Sequence, residues 1–316
     1  MAGGSDSESR RLQAAARVEE MAALVERSLE SALPGTSDSA LTEFASGLLV
    51  ESMRYSLATP GKRVRPLLCL GGVEAVGADP LPFVRFAGAL EMIHAYSLVH
   101  DDHPAMDDDE LRRGLPTNHM VYGGGMAILA GDGLLTEAFS TMIEPLADIE
   151  TQLRVIAEVS RAAGWAGMVG GQAADLMAEN MEADELVLRS LHARKTGALI
   201  CASVRAGAML GRGGPEALGA VSAFGERFGL AFQIADDVKD EIAPTSVTGK
   251  QGGRDREAGK MTYPALYGVE GSRSRCREEL ERAIAALGPL GPAACLLEVI
   301  ARDAVAPAFE DYGNRQ

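Results

Sequence analysis

Long apolar runs, paired cysteines and basic charge are all scarce in this chain, and each scarcity removes a class of function. No run of about 18 apolar residues occurs anywhere, and Met1 to Arg17 has Ser, Asp and Glu but no apolar signal core, so neither a transmembrane helix nor a secretory leader is expected. The four cysteines, Cys69, Cys201, Cys276 and Cys295, show no Cys-x-x-Cys spacing. Reduced structural thiols in a cytoplasmic protein are therefore expected, not a disulfide frame or a thiolate metal site. A formal net charge of −15 provides no basic face for nucleic acid or for an anionic membrane. Alternating β-branched stretches are also few, which counts against a sheet.

What is present suits helices. The 316 residues are 47% hydrophobic, ample for a core, and Ala, Leu, Glu, Arg and Met favour helix. The expected fold is all-α, one domain over residues 1–316 with a flexible start at residues 1–17, because no linker of domain-boundary character interrupts the pattern. Val18, Met21, Val25 and Leu29 mark a first helix ended by Pro34-Gly35. Further helices are predicted over Leu41–Leu57, Leu67–Val76, Phe83–His100, Ala127–Leu146, Thr151–Trp165, Ala183–Leu210, Pro215–Asp240 and Ser274–Leu287.

Two acidic clusters stand at the ends of apolar helical runs. The first, from Asp101 to Glu110, has six acids in ten positions and follows Leu90 to Val99; the second is Asp236-Asp237-Val238-Lys239-Asp240. A solvated acidic loop would not need so apolar an approach. Carboxylates gathered in a cavity repel one another and resist desolvation, so their natural counterpart is a divalent cation. Hard cations such as Mg2+ combine a few carboxylates with the phosphate oxygens of a substrate. Asp236 and Asp240 share one helix face at i and i+4, and Gln233 and Asp237 share another about 100° round. Phe228 and Phe232 lie on the Asp236 face, so they are either ordinary core or the wall of a cavity for a greasy ligand with a charged head. Lys62, Arg65, Arg112, Arg113, Lys195, Lys250 and Lys260, with His94, could hold polyphosphate.

Five ordered motifs resemble the trans-isoprenyl diphosphate synthases of the farnesyl and geranylgeranyl type. They are Gly61-Lys62-Arg63-Val64-Arg65-Pro66, the run from Glu91 to His119, Lys195-Thr196-Gly197, Phe232 to Asp240, and Gly259 to Pro264, spanning roughly residues 50 to 270. The resemblance implies the isoprenoid synthase type I fold, ten or more helices around a deep central cavity, in a homodimer. It implies that Asp101, Asp102, Asp107, Asp236, Asp237 and Asp240 hold three Mg2+ ions, or Mn2+ in their place, on an allylic diphosphate. By the same resemblance Gly61, Lys62, Arg65, His94 and Arg113 receive isopentenyl diphosphate, while Arg112, Lys195, Thr196, Gln233, Lys250 and Lys260 serve the allylic side. The catalytic set is then Asp101, Asp102, Asp107, Arg112, Lys195, Asp236, Asp237 and Lys250.

The reaction so implied is a prenyl transfer: the allylic carbon–oxygen bond ionises and the isopentenyl double bond attacks the cation. Tyr96 is bulky and Ser97 small just before Asp101, a combination resembling bacterial-type enzymes with a C15 product, with a C20 product as the alternative. His103 and Lys239 stand where the family commonly has Leu, Pro60 replaces a usual Gly, and Phe309 to Gln316 matches the family's basic tail poorly. Two rivals are a terpene cyclase, which the set of Lys62, Arg65, His94 and Arg113 opposes, and a non-catalytic subunit, which the six aspartates oppose.

Overall fold

The computed structural model describes residues 3–34, 46–179, 181, 184–243 and 259–310. Helices dominate. The polar start belongs to α1 (Gly3–Glu30), whose Arg11 and Arg17 pair with Glu298 and Glu74 while Met21, Val25 and Leu29 are buried. Then come α2 (Ser46–Leu57), α3 (Val64–Ala75) and α4 (Val84–Asp101). α3 begins earlier than its hydrophobic pattern suggested, because Pro66 is tolerated in a first turn, where no intrahelical donor is lost.

A two-stranded hairpin, β1 (Leu111–Arg112) with β2 (Leu115–Pro116), follows the first acidic cluster. Both loop residues have positive φ, Arg113 at 53° and Gly114 at 80°, as a type I′ turn demands. Next are α5 (Asn118–Tyr122), α6 (Gly124–Met142), α7 (Ile149–Ala163), α8 (Met168–Ala178), α9 (Glu185–His192) and α10 (Ala198–Leu210). The single helix expected over 183–210 is interrupted at Ala193–Gly197 by a π-helical turn, a feature frequent at functional sites. The chain closes with α11 (Pro215–Ile242), α12 (Tyr263–Ala286, bent at Gly268) and α13 (Cys295–Val305).

One hydrophobic cluster extends from Ala14 to Ala308. α4 packs on α6, α3 on α10, and α11 on both α10 and α12, which sets the last turns of α4 and α11 around a common space. Phe224 and Phe228 of α11 are fully buried and stacked, with centroids 5.6 Å apart, so the Phe228 position is core. Truncating such a ring costs about 3–5 kcal/mol. Phe232, one turn further, borders the cavity instead. Among the described residues no single helix is long and apolar enough to cross a membrane.

Candidate active site

The shared space is a cavity of about 540 Å³, within the range that buries a small molecule. The end of α4, the loop after it, α8, the π turn, α11 and the entry to α12 all contribute to its wall. Five of the six expected metal ligands line it from two sides: Asp101 and Asp107 on one, Asp236, Asp237 and Asp240 on the other. Burial, and then the neighbouring charges of Asp107 and Asp102, raise the Asp101 pKa to about 6, against the pull of Lys195 and Arg112.

Asp102 and Asp237 are engaged with protein partners. Asp102 borders a smaller chamber beside His94 and Arg113 and accepts from Arg112 Nε at 2.8 and 2.9 Å. Burial works against the Arg112 charge, but this pairing with Asp102 outweighs it and raises the guanidinium pKa. Asp237 is buried at the cavity edge, accepting from Gln233 Nε2 at 2.9 Å and from the backbone N–H of Tyr263 at 3.0 Å. It thereby ties α11 to the start of α12.

The expected allylic-side cations are already paired with acids. Lys260 reaches Asp107 at 2.9 Å, and Lys195, on the π turn, pairs with Asp175 of α8. Burial opposes the Lys195 charge, and Asp175 and Asp101 more than offset it. Thr196 donates to Gln233 Oε1 at 2.5 Å. Lys250 lies outside the described residues.

Around α3 the balance is reversed. Arg65 and His94 are turned into the cavity beside Arg113, and Arg65 Nε, His94 Nδ1 and Glu91 Oε2 are buried without a hydrogen-bond partner. Burial, followed by the charges of Arg65 and Arg113, keeps the His94 pKa well below the usual imidazole range, so the ring is neutral. Arg113 donates to the Pro60 carbonyl and its guanidinium lies against Gly61, where a Cβ would fall 2.4 Å from Arg113 Nη1. A side chain at position 61 would therefore push the guanidinium aside. Lys62 donates to the carbonyl of Asp303 at 2.7 Å and lies outside the wall of the main cavity. Arg63 is a brace: buried, with φ 48°, it binds Glu26 at 2.7 Å, Glu91 at 2.9 Å and two backbone carbonyls.

The sequence reading passed over α8, where Gln172 and Asp175 face the cavity and both side-chain polar atoms of Gln172 are buried without a partner. Two glycines, Gly170 and Gly171, weaken its helical signal. The only cue was Met168, Gln172 and Asp175 at i, i+4 and i+7. His192 was also missed. It lies 3.9 Å from Asp237 Oδ2, and its pKa is lowered to about 3, chiefly by burial.

An acid-lined wall facing an arginine-rich one, with both acidic helix ends intact, agrees with a match of residues 46–288 to the polyprenyl synthetase family model. The chain belongs to the polyprenyl synthetase family. It is 45% identical over 239 residues to farnesyl diphosphate synthase of Escherichia coli, covering 74% of this chain and 80% of that one. It is 44% identical over 248 residues to geranylgeranyl pyrophosphate synthase 9 of Arabidopsis thaliana, covering 76% and 69%. Among solved structures, an FPP/GFPP synthase from Zymomonas mobilis superposes with a TM-score of 0.80 at 35% identity over 93% of this chain and 99% of the other. The all-α fold expected from composition is thus the family's fold.

Donor chemistry in this family member suits a hard cation. The groups on the acidic wall are carboxylates, and burial holds Asp101 in its protonated form more than an ordinary carboxyl is, with Lys195 and Arg112 offsetting this only in part. Among the described residues no three acid, imidazole or thiol side chains converge on one point. A cation there would complete its shell with phosphate oxygens and water, as Mg2+ prefers.

Proposed function

We propose that this prenyltransferase condenses isopentenyl diphosphate with dimethylallyl or geranyl diphosphate, 1′-4 and head to tail, releasing diphosphate and ending at trans-farnesyl diphosphate. The carrying observation is the division of one cavity into an acidic wall (Asp101, Asp107, Asp236, Asp240) and a cationic one (Arg65, Arg113, neutral His94). A substrate pair with one metal-bridged and one directly held diphosphate matches that division.

In this reading Asp101, Asp107, Asp236 and Asp240, with Asp102 and Asp237 in support, would hold Mg2+, which would supply positive charge to the departing diphosphate. Lys195, Lys260 and Arg112 add their own charge there as the allylic carbon–oxygen bond breaks and its electron pair leaves with oxygen. Thr196 and Gln233 position the same group. Arg65, Arg113 and Lys62 hold isopentenyl diphosphate, and His94 does so as a neutral donor. Phe232, Met168 and Tyr96 present carbon to the allylic cation and keep water from it. The isopentenyl double bond attacks that cation, and proton loss to the released diphosphate leaves a trans double bond.

Tyr96 forms the floor in this reading. It borders the cavity with Ser97, is almost fully buried, and is wedged edge-on against His100 with centroids 5.8 Å apart. Ser97, at i−4 from Asp101, is small and its hydroxyl turns back to the His94 carbonyl at 2.9 Å. A cytoplasmic homodimer, folded as one domain over 1–316, completes the proposal; exposed Met120, Val121, Ile128 and Leu129 on α5 and α6 support a partner face there.

The deciding assay supplies Mg2+, isopentenyl diphosphate and, separately, C5, C10 and C15 allylic diphosphates, with product mass as readout. C15 from the two shorter primers and an untouched C15 primer are expected, and Tyr96→Ala should extend the product. C20 from the unaltered chain would keep the enzyme and discard the floor. Absence of condensation with every primer would return the reading to a cyclase or a non-catalytic subunit.

A further inference from the structure

Tyr96 and His100 stand at i and i+4 on α4, and both line the cavity beside Asp101. The Tyr96 ring packs edge-on against the imidazole, so whatever seats His100 also sets Tyr96. The imidazole is drawn onto α6: its Nε2 donates to the Ile128 carbonyl at 3.0 Å and lies 3.9 Å from Asp132 Oδ1. It can lie so close to that helix only because residue 131 is a glycine. A Cβ on the buried Gly131 would fall 2.5 Å from His100 Cδ2 and 2.9 Å from Cε1, and closer still to Nε2. Non-bonded carbons prefer about 3.5–4.0 Å, so one of the two would have to move. The imidazole is the mobile end of a side chain with its own rotamers, and it yields before the α6 backbone does. With α6 behind it, the ring has the cavity in front.

We propose that Gly131 and His100 are a specificity-determining pair for product length: the glycine seats the imidazole against α6, and the seated imidazole props Tyr96 and leaves room for the growing chain. This inference rests on the prenyl-transfer reading above and deepens it, adding a position on α6 to a floor built by α4. Gly131 acts from behind the wall, so bulk there changes the room for carbon without touching the aspartates or the cations. The two members then act with opposite sign. A methyl group at position 131 drives the ring toward the cavity and shortens the product, whereas loss of the ring frees Tyr96 and lengthens it. Once the ring is gone, the methyl group has nothing to displace.

The test compares the unaltered chain with Gly131→Ala, His100→Ala and the double variant. Affinities for the C5, C10 and C15 allylic diphosphates are measured by calorimetry with Mg2+, and product mass is then read with the C5 primer and isopentenyl diphosphate. In Gly131→Ala the longest primer that the unaltered chain binds should lose about tenfold in affinity, the scale for a small misfit in an apolar pocket. The C5 primer should change less than twofold, and the product should be one isoprene unit shorter. His100→Ala should lengthen the product, and the double variant should behave as His100→Ala does. A methyl group that instead strains α6 itself would keep its effect in the double variant, and that result overturns the proposal. Equal weakening of short and long primers, or unchanged affinity and product in Gly131→Ala, overturns it as well. A chain that binds the primers but condenses none refutes the prenyltransferase reading, while the calorimetric comparison still decides the pair; no binding of any primer overturns both.

Discussion

On the acidic side of the cavity three cations of the site are held by acids: Lys195 by Asp175, Lys260 by Asp107, Arg112 by Asp102. On the α3 side Arg65 and Arg113 feel the charges of Glu91 and Asp236, and one oxygen of the buried Glu91 is already taken by Arg63. Each half is therefore incomplete in a different way. The acidic half retains Asp101, with a pKa raised to about 6, and gains by receiving positive charge. The cationic half retains unpartnered Arg65 Nε and His94 Nδ1, and gains by receiving an anion. Charge imbalance in a buried site is costly, and its sign identifies what each half binds.

If that contrast is right, the two halves fail differently when broken. Asp101→Ala and Asp236→Ala should lower kcat/KM on the order of 10³-fold, since each removes a carboxylate that places charge on the leaving group. A loss below tenfold would mean that these acids only line the wall. Arg65→Met should raise the isopentenyl diphosphate KM about 100-fold, the scale for losing a buried charge pair, with the allylic KM within twofold. Equal rises in both would erase the division.

The acidic half can also be probed without substrate. The Asp101 pKa is raised from 3.8 to about 6 in the fold, so the folded chain holds this proton more tightly than the unfolded one. The resulting stability is fully present below about pH 4 and is lost as pH rises through 6; at about 1.4 kcal/mol per unit it amounts to roughly 3 kcal/mol. Asp101→Asn imitates the protonated form. In EDTA it should match the unaltered chain near pH 4 and be more stable above pH 7, by denaturant unfolding at each pH. A stability difference that does not vary with pH would show that Asp101 titrates normally.

Much of this site was legible in the chain because acids after an apolar helical run have few structural reasons to be there. The i, i+4 spacing of Gln233 and Asp237 foretold a contact that the fold contains at 2.9 Å. Periodicity could not separate Phe228 from Phe232, because core and cavity wall present the same apolar stripe, and only the packing of Phe224 settles which is which. Nor could spacing show that Asp102 would turn to Arg112 while Asp101 faces the cavity, since adjacent helical residues diverge by about 100° and their partners come from a distant hairpin. α8 was hidden by its glycines and α13 by the Gly- and Pro-rich stretch before it. The π turn at Lys195 was hidden because its residues read as ordinary helix.

The smallest effect expected comes from the chain of hydrogen bonds that joins the halves of the acidic wall. Thr196 Oγ1 donates to Gln233 Oε1 at 2.5 Å, Gln233 Nε2 donates to Asp237 Oδ1 at 2.9 Å, and Asp237 Oδ2 accepts from the Tyr263 N–H at 3.0 Å. Thr196 thus fixes which end of the Gln233 amide faces Asp237, and Asp237 fixes the approach to Lys260. Thr196→Val keeps the shape and removes the donor, so Gln233 is free to rotate and Asp237 loses its oriented partner. One such neutral bond contributes about 1 kcal/mol, which predicts a roughly fivefold fall in kcat/KM for the allylic substrate. The isopentenyl diphosphate KM should stay the same and Thr196→Ser should recover activity. Should Thr196→Val instead weaken isopentenyl diphosphate binding, the boundary between the two halves would have to be moved across the π turn.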